Sequence, residues 1–303
     1  MNTRISETTR RQFLRNSAAA ALAFGALPAP NSSFATEGEK AASEMRFGFT
    51  TYQWGKDWDI PTLIANCTKA EAYGAEVRTS RSFAHGVELE LTAVQRSEVK
   101  KQFQDSPITL VGLATSEKFD YLDPDELKTH IEDAKKYAKL SHDVGGSGIR
   151  VFPNAFHEEV PHETTIAQIG KSLNKVGKAA ADYGQMVRLE AHGTAGHLPS
   201  IRAIMEHVEE PNVCVKLNSS SRDVEGEGFE SNFNQVKDYL GDTIHIHNLK
   251  GTEFPYQLQV NLLTRMGWSG WVLVEQSQEV SDRVQELIDY RKIWEDLVAN
   301  ATL

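Results

Sequence analysis

From residue 45 onward, short apolar runs rich in Val, Ile and Phe alternate with longer stretches whose apolar residues recur at helical spacing. The runs predict strands over 46–52, 75–79, 108–114, 149–152, 186–190, 213–217, 243–247 and 271–275. Each is followed by a helical stretch, over 61–73, 92–104, 124–142, 166–183, 198–208, 234–240, 256–266 and 281–298. The punctuation agrees. Asp123 stands where an N-cap belongs, Pro124 occupies the first turn, and Gly74, Gly145 and Gly184 follow helix ends. Strands alternating with helices imply a parallel sheet covered by helices. Eight such units predict a closed (β/α)8 barrel, the TIM barrel, with its active site at the C-terminal ends of the strands. An open doubly wound sheet is disfavoured, because no glycine-rich phosphate loop follows the first strand.

The first 36 residues read as an address. Thr9-Arg10-Arg11-Gln12-Phe13-Leu14-Arg15 precedes the weakly apolar run 18–27 and the small residues around Ser33 and Ala35. The run is too short for a transmembrane helix, which needs roughly 20 residues. Paired arginines followed by x-Phe-Leu resemble a twin-arginine export signal. The expectation is a signal peptide over 1–36, a polar linker over 37–44 and a barrel over 45–303. It implies the twin-arginine export machinery as a partner, a periplasmic or extracellular location, and no stable membrane insertion after processing.

Charge narrows the partners. The chain carries −10 at pH 7, and the leader contributes +3 through Arg4, Arg10, Arg11 and Arg15 against Glu7, so the remainder carries −13. A body this acidic is unsuited to phosphate backbones, which argues against nucleic acid. Cys67 and Cys214, far apart in sequence, are expected as small core residues. The stretch Asp223-Val224-Glu225-Gly226-Glu227-Gly228 lacks calcium-loop spacing and reads as a βα-loop over the barrel mouth. Trp54 and Trp268 are open between an apolar wall for a sugar face and ordinary core packing.

Candidate chemistry gathers where strands end. Four consecutive strands close on a polar residue: Glu190, Asn218, His247 and Glu275. A carboxylate closing an apolar strand is costly to bury unless it is paired or binds a cation. Two Glu, a His and an Asn offer donors that suit a divalent ion such as Mn, Mg, Co or Zn. Leu189-Glu190-Ala191-His192-Gly193, His245-Ile246-His247 and Val274-Glu275 resemble the metal-binding strand ends of the xylose isomerase-like sugar isomerases and epimerases. The segment 81–87 before an acidic helix resembles that family's second unit. The resemblance covers about residues 45 to 298. It implies an ion on Glu190, Asn218, His247 and Glu275, although the family's Asp-x-x-His after the sixth strand reads Asn218-Ser219-Ser220-Ser221 here. It also implies a carbohydrate substrate, with Glu190 and Glu275 exchanging a proton beside a carbonyl and with His192, His245, Arg150 and Lys250 contacting substrate.

Each role has a structural competitor. Glu190 or Glu275 could pair with Arg188 or Arg78, His245 could be a core histidine, and Arg150 and Lys250 could be ordinary basic residues. At the level of function, an isomerase or epimerase stands beside a lyase eliminating across a keto-sugar or keto-glycoside, and beside a carbohydrate-binding barrel without catalysis. An endonuclease on the same architecture is opposed by the acidic charge and the shortage of His and Asp ligands.

Overall fold

The computed structural model describes residues 45–79 and 82–303. The leader expected over 1–36 and the linker over 37–44 lie outside the described residues. Eight strands, β1 (Arg46–Thr50), β2 (Gly74–Arg78), β3 (Thr109–Lys118), β4 (Gly148–Phe152), β5 (Met186–Glu190), β6 (Val213–Lys216), β7 (Thr243–Ile246) and β8 (Trp271–Val274), lie in one parallel sheet. Its order is β6-β5-β4-β3-β2-β1-β8-β7. The ends meet, since Gly241 N donates to the Val215 carbonyl and His245 N to the Leu217 carbonyl, both at 2.9 Å. That seam closes the expected (β/α)8 barrel.

The helices are α1 (Ile60–Lys69), α2 (Ala93–Gln104), α3 (Pro124–Val144), α4 (His162–Ala181), α5 (Leu198–Glu206), α6 (Phe229–Val236), α7 (Tyr256–Arg265) and α8 (Arg283–Ala299). Their starts follow the sequence. Asp59, Asp123 and Asp282 accept backbone N–H bonds at their helix N-termini, and Thr92 and Gln95 form a reciprocal capping box on α2. Two elements differ from expectation. The helix expected over 234–240 is shifted, with α6 starting at Phe229 behind Gly228 and residues Lys237–Tyr239 tightening into a 3-10 turn. The third strand runs on to Lys118, ten residues where most have four or five, through the polar sequence Thr115-Ser116-Glu117-Lys118.

Alternation along each strand sorts the side chains. Phe49, Val77, Ile149, Leu189, Val215, Ile246 and Val274 face the helices and join one continuous apolar core. The barrel interior is a different medium. Inside it, Val111, Trp271 and Leu273 form a small separate apolar group. The Trp271 ring lies over Gly74, where a Cβ would come within 2.4 Å of it, so the strand needs glycine there. The rest of the interior is charged: Glu76, Arg150, Arg188, Glu190, Lys216 and His245 are each at most 1% exposed. Buried charge on this scale persists only when paired. Arg188 is paired at the floor, bonding Asp242 through Nε and Nη2 at 2.8 Å each and Ser147 Oγ at 2.7 Å. Glu190 therefore has no ion pair with Arg188. Cys67 and Cys214 are buried and not joined in a disulfide, as expected of core residues, and burial pushes the Cys67 thiol up to about 12.

Candidate active site at the barrel mouth

The site rests on a carboxylate inside β2. Glu76 accepts from Lys216 Nζ on β6 at 2.6 Å and from Thr50 Oγ1 on β1 at 3.0 Å, and it lies 2.7 Å from His245 Nε2 on β7. Lys216 and His245 together hold Glu76 well below the usual carboxylate range against the opposing effect of burial. With Nε2 turned to Glu76, His245 Nδ1 faces upward. It lies 3.1 Å from Glu190 Oε2 and 3.4 Å from Glu275 Oε2. Burial and Lys216 oppose charge on this ring, but Glu275, Glu190 and Glu76 prevail and push it up to about 10.

The two upper carboxylates each have an arginine. Arg78 Nη1 donates to Glu275 Oε1 at 2.9 Å, while Arg150 Nε lies 3.5 Å from Glu190 Oε2. Burial would raise both acids. Arg150 and His245 outweigh it at Glu190, which sits far below its ordinary value. His245 outweighs it at Glu275, which is lowered to about 2. Both carboxylates are ionised at neutral pH. Above them opens a cavity of about 640 Å³ at the C-terminal strand ends. Glu190, Glu275, Arg78, His192, Asn218 and His247 line its charged and polar side, and Tyr52, Tyr121 and Phe152 supply aromatic faces. This is the size and mixed lining of a small-molecule site.

The residues singled out from sequence fall into three places. Glu190, Glu275, Asn218, His247 and His192 all line the cavity. His247 Nδ1 lies 2.8 Å from the Glu275 carbonyl, and its Nε2 lies 3.1 Å from the Asn218 side-chain oxygen. His245 and Arg150 lie deeper, both fully buried, with the Arg150 guanidinium 4.0 Å below the Phe152 ring. Lys250 lies apart: its side chain is 44% exposed and donates to Glu286 at 2.6 Å on α8. Trp54 and Trp268 are buried, their indole N–H groups donating to the carbonyls of Gln278 and Gly241. Sequence reading did not single out Glu76, Thr50, Lys216 or Lys118. The signal available was a charged residue at an inward position of a strand, on a sheet whose alternation had already been assigned.

Residues 64–294 match the sequence profile of the xylose isomerase-like TIM barrels. The chain belongs to that family. Solved structures of similar fold include D-psicose 3-epimerase from Clostridium cellulolyticum H10 with D-tagatose, at 18% identity and TM-score 0.67, covering 85% of this chain and 93% of that one. The 3-keto-D-glucoside 4-epimerase YcjR from E. coli, in its apo form, shares 16% identity over 84% of this chain and 99% of its own, with a TM-score of 0.67. The IOLI protein with a bound zinc atom shares 16% identity over 85% and 99%, with a TM-score of 0.72. No curated protein sequence matches the chain significantly.

The donor set fits a divalent ion. Among the described residues, one oxygen each from Glu190 and Glu275 and one nitrogen of His245 lie within 4.8 Å of one another. His245 Nδ1 and Glu190 Oε2 are buried and face one another at 3.1 Å without a well-directed hydrogen bond between them, an arrangement open to a shared cation. Glu76 behind Nε2 completes a carboxylate–histidine pair, the arrangement that orients a ligating imidazole. The histidine in this converging set is His245, whereas His247 meets Asn218 at the cavity wall.

Proposed function

We propose that this chain is an isomerase or epimerase of a carbohydrate, acting by proton transfer at a carbon beside a carbonyl, with Glu190 and Glu275 as the transferring groups. The observation that carries the reading is the convergence of two ionised carboxylates and a histidine beneath a sugar-sized cavity. The activities of the similar structures, a ketose 3-epimerase and a keto-glucoside 4-epimerase, support it.

Glu190 comes from β5 and Glu275 follows β8, so a substrate seated between them is reached from two directions. One carboxylate removes a proton and the other returns it at the other face. Arg78 adjoins Glu275, and its positive charge favours the negative oxygen that forms as the proton leaves. Tyr52 and Phe152 present flat apolar faces to a sugar ring. Glu190, His245 and Glu275 would hold a divalent Mn, Mg, Co or Zn ion, which when bound supplies Lewis-acid polarisation of the substrate oxygens. Export by the twin-arginine route is part of the proposal, since a folded protein could then carry its ion across the membrane.

Wash-in of solvent deuterium into ketoses and keto-glycosides tests the reading, with elemental analysis of the same protein. The expected result is exchange at the carbon beside the carbonyl, lost in Glu275→Gln together with the bound metal. Absence of exchange with every ketose and keto-glycoside would overturn it. Product analysis separates epimerisation from elimination, because a lyase releases an unsaturated fragment.

A further inference from the structure

Lys118 is the cation that the proton-transfer chemistry leaves unused. It ends β3, the strand that outruns its neighbours, and pairs in register with Phe152 of β4 at the rim. Its side chain is half-buried and lines the same cavity as Glu190 and Glu275. The ammonium lies 4.9 Å from the centre of the Tyr121 ring. Among the described residues Lys118 makes no ion pair. The neighbouring acids are engaged elsewhere: Glu117 lies 2.6 Å from His130, and Asp120 Oδ2 accepts from Asn154 at 2.6 Å and lies 3.2 Å from His157. Two residues before Lys118, the Ser116 hydroxyl lines the cavity, buried and without a hydrogen-bond partner.

The charge balance of the interior gives this lysine its meaning. Glu76, Glu190 and Glu275 are matched by Lys216, Arg150 and Arg78. Lys118 stands outside those three pairs, and the carboxylates that flank it, Glu117 and Asp120, lie against His130 and His157 instead. A neutral ketose would leave this ammonium inside the cavity with only an aromatic face for company. A ligand with one negative charge would neutralise it.

We propose that the substrate is a sugar acid, whose carboxylate is taken by Lys118 and the Ser116 hydroxyl while its carbonyl end lies between Glu190 and Glu275. This rests on the proton-transfer reading of the same cavity and adds the substrate class. One ammonium with a hydroxyl suits a monoanion better than a phosphate, which ordinarily recruits several N–H donors or an open helix N-terminus. The start of α3, the helix that follows β3, is already occupied by the Asp123 carboxylate, which accepts from the N–H groups of Asp125 and Glu126.

Calorimetric binding tests this without relying on turnover. The probes are D-glucuronate and D-galacturonate, their neutral counterparts D-glucose and D-galactose, and D-fructose 6-phosphate. The expected result is tighter binding of the uronates than of the neutral sugars, by roughly tenfold, the scale of one charge-assisted hydrogen bond. Lys118→Met should bring that ratio close to one, and Lys118→Arg should restore it, which separates lost charge from a collapsed rim. Equal binding of acidic and neutral sugars would overturn the sugar-acid assignment and leave the carbohydrate reading standing. Tighter binding of the phosphosugar than of either uronate would overturn the carboxylate in favour of a phosphate. If no probe binds, both this inference and the carbohydrate reading fall.

Discussion

Replacing Lys216 by Met would remove half of the deepest ion pair while preserving much of its length. Glu76 would be left with His245 and Thr50 as its remaining partners, at full burial. Breaking one side of a buried pair costs about 3–5 kcal/mol, most of it the desolvation of the charge left behind. For a domain of this size each kcal/mol lowers the melting temperature by about 2–4 °C, so the expected drop is roughly 6–20 °C. The diagnostic is the double variant. Glu76→Gln with Lys216→Met leaves no buried charge in that pair, so it should recover at least about 1 kcal/mol relative to the sum of the singles. Urea titrations followed by circular dichroism on the four proteins give the cycle, provided unfolding is reversible. A Lys216→Met loss under 1 kcal/mol, or strict additivity of the two changes, would refute the claim that this pair holds the interior together.

Other changes have expected outcomes of their own. Gly193 adopts φ +77°, and a Cβ there would fall 1.9 Å from the Asn154 carbonyl oxygen, so Gly193→Ala should destabilise by about 1–3 kcal/mol and weaken sugar binding, read by thermal melts and calorimetry. Burial raises Asp223 from its ordinary value to about 7. As the folded form holds this proton more tightly than the unfolded chain, the contribution is fully present below about pH 4 and is lost as pH rises through 7. Asp223→Asn should therefore flatten that part of the stability–pH curve, and an unchanged slope would contradict it. Asp123→Ala removes the side-chain acceptor for the Asp125 and Glu126 N–H groups and should cost about 1 kcal/mol, measured by denaturant unfolding.

The barrel was legible because its outward strand faces are apolar and its helices carry their own caps. The strand-end residues Glu190, Asn218, His247 and Glu275 were legible for a related reason: each interrupts or follows a hydrophobic run. Glu76 was not, since Ala75-Glu76-Val77 looks like a half-exposed strand until the sheet closes around it. Its partners lie 140 and 169 residues further along the chain, and no local pattern specifies such a pairing. Lys118 was missed because Thr-Ser-Glu-Lys lacks the apolar content that marks a strand. β3 extends through it by pairing with β4. The exchange of His247 for His245 in the converging donor set has the same origin. Both rings point inward, and only the depth at which Glu76 waits distinguishes them.

The reach of those internal pairs bears on how the chain folds. Glu76 with Lys216, Thr50 with His245, and Arg78 with Glu275 join the first quarter of the molecule to its second half, across 140, 195 and 197 residues. A half-barrel made of the first four strands would expose Glu76, Arg78 and Arg150 on an unfinished sheet without their counter-charges. Such a piece has little reason to persist alone, and the ordering cost of bringing distant strands together is met before the charges reward it. Closure of the β6–β7 seam is then the step that brings these paired charges together, so the barrel should assemble as one cooperative unit and resist being split into autonomous halves.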